Sequence, residues 1–203
     1  GMLVGANELY NYATKFGLGK TSGIDLPYEV EGYLPSPVKR RLAHFTGWFD
    51  GDTANFSIGQ GELLVTPIQA ARMVAVFANQ GYLVRPYLVQ AVAGHDYSLR
   101  QKKIIRLPFN SKVIDRIREG MRSVVTDPDG TANMLSKLQV SVAGKTGTAQ
   151  TGRGTPHGWF AGFFPFKKPK YVICVFLERG GSGAAACAVA KEIIKRMIEE
   201  GLI

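Results

Sequence analysis

Histidine is scarce in this chain, cysteine scarcer, and acidic residues are outnumbered. The three histidines, His44, His95 and His157, stand far apart, and the two cysteines, Cys174 and Cys187, lack metal-type spacing. This excludes a zinc site built on a His/Cys cluster and a small domain held by a disulfide framework. The two thiols read as small buried hydrophobes, with a bridge between them as the alternative. No apolar run approaches the ~20 residues that span a bilayer. Gly1-Met2-Leu3-Val4 lacks the basic flank and cleavage region of a signal peptide. No repeat or low-complexity segment is present. Asp and Glu number 16 against 25 Lys and Arg, for a formal charge of +9. The positive residues are scattered, as Lys39-Arg40-Arg41, Lys102-Lys103 and Lys167-Lys168. No helix-turn-helix, zinc-finger or aromatic RNA-binding pattern accompanies them, so no nucleic acid partner is expected. Solvated surface charge is the first reading and attraction to an anionic cell surface the second.

What is present is enough for a core. The 203 residues are 45% hydrophobic and 20% charged, which fits one domain or two small lobes sharing a core. Leu9, Tyr12, Ala13 and Phe16 have helical spacing, ended by Gly17 and Gly19. Residues 28–56 read as irregular. Thr66 caps a helix that has Pro67 in its first position and runs through Ala70, Met73, Val76 and Phe77 to Asn79. It is apolar nearly all round and so should be buried. Short strands are expected within 82–107. Asn110 caps a further helix with Ile114, Ile117, Met121 and Val124 on one face, ended by Asp127-Pro128-Asp129-Gly130. Gln139–Gly144, Trp159–Phe164 and Tyr171–Leu177 read as strands, the last two joined as a hairpin by 165–170. Val172–Phe176 shows no polar alternation, so both its faces should be covered. A terminal helix carries a Val189, Ile193, Met197 and Ile198 stripe, with Glu192/Arg196 and Lys195/Glu199 on the wet side.

One segment carries chemistry: Ala143-Gly144-Lys145-Thr146-Gly147-Thr148-Ala149-Gln150. On a strand Thr146 and Thr148 point one way and Lys145 the other. Gly147 lets a ligand backbone approach closely. Two hydroxyl donors near an ammonium suit a carboxylate, and a backbone N–H on such an edge can form half an oxyanion hole. A phosphate loop is excluded, because the run Gln139–Ala143 ahead of Gly144 reads as a strand rather than a Gly-rich loop.

The Lys-Thr-Gly triplet belongs, with S-x-x-K and S-x-N, to the signature of penicillin-binding proteins and serine β-lactamases. Further segments resemble class B penicillin-binding proteins. These are Phe16-Gly17-Leu18-Gly19 with Gly23-Ile24-Asp25-Leu26-Pro27, and Gly51–Gly61 with Leu64-Val65-Thr66-Pro67. They continue with Gly120-Met121, Gly130-Thr131-Ala132, Trp159-Phe160-Ala161-Gly162-Phe163 and the last Gly-rich loop. The Ser57-Ile58-Gly59-Gln60-Gly61 form is similar to the elongation type, penicillin-binding protein 2. The resemblance spans essentially the whole chain. It implies an α/β fold, an antiparallel sheet with flanking helices, of the serine β-lactamase and transpeptidase type and incomplete at its N-terminus. In that partial domain, 1–138 form a mainly helical lobe with loops, and 139–203 the sheet strands and C-terminal helix.

The resemblance also implies roles. Lys145 orients the S-x-N serine and sets the positive potential. Thr146 and Thr148 hold the terminal carboxylate of a D-Ala-D-Ala peptidoglycan stem peptide, or of a β-lactam. Gly147 permits close approach, and the Thr148 N–H forms half the oxyanion hole. The parent is implied to be a D,D-transpeptidase of cell-wall and cell-shape synthesis, acting through an acyl-serine outside the cytoplasmic membrane, with a glycosyltransferase partner and no cofactor. A D,D-carboxypeptidase or β-lactamase of the same fold, or a non-catalytic cell-wall binding module, are the alternatives. The one S-x-x-K, Ser36-Pro37-Val38-Lys39, falls in the wrong order for the nucleophile, and Thr53-Ala54-Asn55 and Thr131-Ala132-Asn133 read as structural rather than as S-x-N. The nucleophile helix and the S-x-N loop are therefore expected ahead of Gly1. The chain alone is expected to be inactive, and an exposed strand edge to favour self-association. His157 reads as a surface residue near the Lys-Thr-Gly strand.

Overall fold

Residues 1–44, 46–96, 104–152 and 154–203 are described by the computed structural model. They fall into two units that the chain visits alternately: Gly1–Arg72 with Leu83–Ile104, and Met73–Tyr82 with Ile105–Ile203.

The first unit is built from α1 (Ala6–Lys15), α2 (Pro37–His44), α3 (Asp50–Ser57) and the first half of α4 (Pro67–Ala78). Leu18, Leu34 and Phe56 form its core, with Leu9, Tyr10, Ala13 and Trp48 packed on it. Tyr12, read from spacing as part of the apolar stripe, is exposed, and its ring lies under the Lys15 ammonium at 4.7 Å. The stretch 28–56 is not irregular, since it contains α2 and α3. Asp50–Asn55 has no apolar period, so periodicity could not reveal α3. Side-chain bonds hold it instead: Asp52 Oδ2 accepts from the Phe49 N–H at 2.9 Å, and the Trp48 indole donates to Thr53 Oγ1 at 2.8 Å. The long loop before α2 is pinned by buried Gln69, whose amide donates to Lys20 O and Glu31 O, both at 2.8 Å. Short strands β1 (Tyr82–Val84), β2 (Ala91–Val92), β3 (His95–Asp96) and β4 (Ile104–Arg106) occupy part of 82–107. Residues 97–103 of that stretch, including Lys102 and Lys103, lie outside the described residues.

The second unit is a sheet between helices. Strands β5 (Ala143–Ala149), β6 (His157–Phe164) and β7 (Tyr171–Leu177) are antiparallel in that order, with Thr146 opposite Phe160 and Phe160 opposite Val175. Helix α6 (Gly183–Glu199) covers one face, where Ala186, Cys187, Ala190 and Ile194 pack on Phe160, Phe164 and Val175. On the other face Ala143 and Phe163 meet Val74 and Ala78 of α4 and Met121 of α5 (Ser111–Thr126).

Four details differ from the periodicity. Strand β5 starts at Ala143 rather than Gln139, because the Val142 carbonyl is taken by Arg122 Nη1 at 2.6 Å and so leaves the ladder. In α5 the Ile117 position is exposed and Arg118 is buried. The Arg118 guanidinium donates to Phe77 O, Ala78 O and Phe166 O at 2.7, 3.0 and 2.7 Å, so one side chain satisfies the end of α4 and the hairpin turn together. In α6 Val189 and Ile193 are exposed, and the buried stripe is Ala186, Cys187, Ala190 and Ile194. Small residues win that face because the helix start lies directly on the β5 backbone. Finally, β7 is only partly covered: Val175 is buried but Phe176 is exposed at the sheet edge. The Lys195–Glu199 pair forms as expected, at 3.7 Å.

Candidate functional site

The Lys-Thr-Gly segment is the middle of β5, and its local structure follows from its glycines. A Cβ at Gly144 would sit 2.7 Å from the Phe160 ring and 2.9 Å from Ala161 O, so only glycine lets the two strands pair there. A Cβ at Gly147 would press on Trp159 Cβ at 3.3 Å. The alternation is as the sequence predicts. Thr146 and Thr148 share the α6 face, whereas Lys145, paired with Ala161, shares the opposite face with Trp159 and Cys174.

Lys145 is exposed, and its Nζ donates to the carbonyl of Thr146 at 2.7 Å. Thr146 is 9% exposed, and its Oγ1 is 2.7 Å from Thr131 Oγ1. Thr148 is exposed, and its Oγ1 accepts from the Gly183 N–H at 3.1 Å. Gly183 is the first residue of α6, and its N-cap Ser182 makes no side-chain cap bond. A strand hydroxyl thus does the work of a helix cap, and the positive end of a 17-residue helix faces Thr148. Gly183 is required there, since its Cβ would lie 2.8 Å from Gly147 O and 2.9 Å from Gly147 N. The exposed Thr148 hydroxyl and the helix N-terminus meet on one face of β5 and suit a hydrogen-bond-accepting anion such as a carboxylate, while the exposed Lys145 ammonium belongs to the other face of the same strand.

Other candidates are occupied. Ser36 is buried and caps α2: its Oγ accepts from the Lys39 N–H at 3.1 Å. The Lys39 Nζ donates to Leu34 O at 3.2 Å and lies over the rings of Tyr10 and Tyr33 at 5.7 and 5.6 Å. This is a cap beside a tethered lysine, not a serine poised against a base. His157 is half-buried rather than on the open surface; its Nδ1 accepts from the Arg179 N–H at 2.9 Å and its ring packs on Phe176. Cys174 and Cys187 are free thiols. A cavity of about 130 Å³ beside Arg40, Trp48 and Glu62, and an open groove of about 560 Å³ between Lys137–Gln139 and α6, are lined by other residues. Among the described residues no three His, Cys, Asp or Glu are grouped to hold a metal ion, and no helix is long and apolar enough to cross a membrane.

Two residues in contact with the strand were not singled out from sequence as site residues, Thr131 and Gly183. Each lies in a segment that resembled the family, Gly130-Thr131-Ala132 and the last Gly-rich loop. Their contact with the strand, however, depends on chain packing that spacing does not reveal.

Comparison with known proteins adds relatives to this geometry. Residues 3–199 match the penicillin binding protein transpeptidase domain. The chain is 33% identical over 208 residues to peptidoglycan D,D-transpeptidase MrdA of Acinetobacter baumannii, covering 94% of this chain and 31% of that protein. It superposes on Pseudomonas aeruginosa PBP2, solved in complex with WCK 5153, with a TM-score of 0.85 at 34% identity, over 95% of this chain and 42% of that one. On Helicobacter pylori PBP2 in complex with MreC the TM-score is 0.87 at 28% identity, over 100% of this chain and 37% of that one. The chain thus spans about a third of the length of the curated relatives it matches.

Proposed function

This chain belongs to the penicillin binding protein transpeptidase domain family, and from that premise we propose that it supplies the Lys-Thr-Gly strand of a peptidoglycan D,D-transpeptidase. Its substrate is a stem peptide ending in D-Ala-D-Ala, and β-lactams compete for the same place. The observation that carries the reading is the β5 arrangement, with the Lys145 ammonium exposed and Thr148 exposed against the N–H of Gly183. The terminal carboxylate of the stem peptide is taken by Thr146 and Thr148, Lys145 supplies the positive potential and orients the serine of S-x-N, and Gly147 lets the peptide lie close to the strand. The Thr148 N–H serves as half the oxyanion hole.

In the reaction a serine oxygen attacks the carbonyl between the two D-alanines. The terminal D-alanine leaves with the proton, and an acceptor amine then takes the acyl group from serine. On this reading Ser36 does not fill that role, since it is buried and committed to its helix. The reaction takes place outside the cytoplasmic membrane, beside a glycosyltransferase that makes the glycan strands. An MreC-like protein is a further partner, by analogy with the Helicobacter pylori complex.

Intact mass after incubation with excess penicillin tests this directly. The 203-residue chain should stay unmodified, and the whole gene product should gain one equivalent. Lys145→Ala in the whole product should slow that acylation about 100- to 1,000-fold, the range for losing one electrostatic stabiliser. Acylation of the 203-residue chain at Ser36 would overturn the assignment of the nucleophile, and a whole product inert to penicillin would overturn the function.

A further inference from the structure

Thr131 has no part in the functional reading above, yet its hydroxyl oxygen is 2.7 Å from that of Thr146. It is delivered there by a fixed turn at the end of α5. The Gly130 N–H donates to Asp127 O at 2.9 Å, the Ala132 N–H donates to Val124 O at 3.1 Å, and the Asn133 amide donates to Asp127 O at 2.9 Å. A Cβ at Gly130 would lie 2.3 Å from Val124 O, so the turn tolerates only glycine there. Ala132 and Leu135, on either side of Asn133, are fully buried. Thr131 is thus an exposed side chain on an anchored backbone, aimed at a buried hydroxyl on the candidate catalytic strand.

Each hydroxyl carries one proton, so in this pair one must donate and the other accept. A carboxylate can only accept. When a carboxylate engages Thr146, the Thr146 proton goes to the ligand and Thr131 must be the donor in the pair. That donation holds the Thr146 oxygen in place and polarises its O–H bond toward the ligand.

We propose that Thr131 is a positioning residue: it fixes the Thr146 hydroxyl as a donor to the terminal carboxylate of the substrate, an inference that rests on the transpeptidase reading. The test uses the whole gene product and two ligands, a penicillin bearing its free carboxylate and the methyl ester of the same penicillin. Second-order acylation rates are compared for wild type, Thr131→Val and Thr131→Ser.

Thr131→Val should lose about three- to tenfold with the acid, the worth of one hydrogen bond, and stay within about twofold with the ester. Thr131→Ser should track wild type with both. If Thr131→Val does not reach the wild-type melting temperature, Thr131→Ala removes the same hydroxyl from an exposed position and gives the same comparison. An unchanged rate with the acid overturns the inference, and so does an equal loss with acid and ester, which would mark a structural role. A wild type acylated by neither ligand overturns the transpeptidase reading, and the inference falls with it.

Discussion

Burial pushes the thiols of Cys174 and Cys187 up to about 11, with Lys191 opposing the shift at Cys187. Burial disfavours the thiolate, so each folded value lies above that of an exposed thiol. Stability contributed by the two protonated thiols is complete below the unfolded value, near 9, and is lost as pH rises through about 11. Denaturant unfolding of the chain between pH 8 and 11 should show stability falling across that window. Cys187→Ala should flatten the fall, and an identical slope in that variant would exclude the thiol as its source. At this scale the sequence was legible where strand alternation sufficed: Thr146 and Thr148 on one face, Lys145 on the other. It was silent on Arg118, because nothing in a helical pattern says that an arginine replaces the neighbouring isoleucine when three carbonyls wait beneath it.

The start of helix α6 meets strand β5 at Gly183 on Gly147 and strand β6 at Gly158. A Cβ at Gly158 would come 2.3 Å from Ser182 O, which is backbone and cannot swing aside. Gly158→Ala should therefore displace the start of α6, cost about 1–3 kcal/mol, and weaken the bond from the Gly183 N–H to Thr148. Gly120, inside α5, is the contrast: a Cβ there meets nothing within 4 Å. Gly120→Ala should stabilise by about 0.5–1 kcal/mol, since glycine is a poor helix former. Thermal melting of the two variants checks both signs, and a stabilised Gly158→Ala would remove the close approach from the account. The caps at Asn110 and Thr66 were readable because their chemistry is local. The register of α6 was not, because the choice of alanine over valine as the inner face is made by the sheet beneath.

Among the described residues β7 has a strand on one side only, and Phe176 is exposed on it. An unblocked edge is a template for further pairing. The 203-residue chain should associate as concentration rises in sedimentation velocity, and Phe176→Lys should return it to monomer. A wild-type chain monomeric throughout would count against an open edge. The family and the α/β sheet were legible from the ordered motifs, and the alternation of the chain between two units was not. That alternation also governs the timing of folding during synthesis. The apolar second half of α4, with Val74 and Ala78, belongs to a unit whose sheet begins only at Ala143. At ribosomal rates the roughly sixty residues between them take about 3–12 seconds to emerge. For that interval the end of α4 has no sheet to cover it, so its packing cannot be completed before β5 is made.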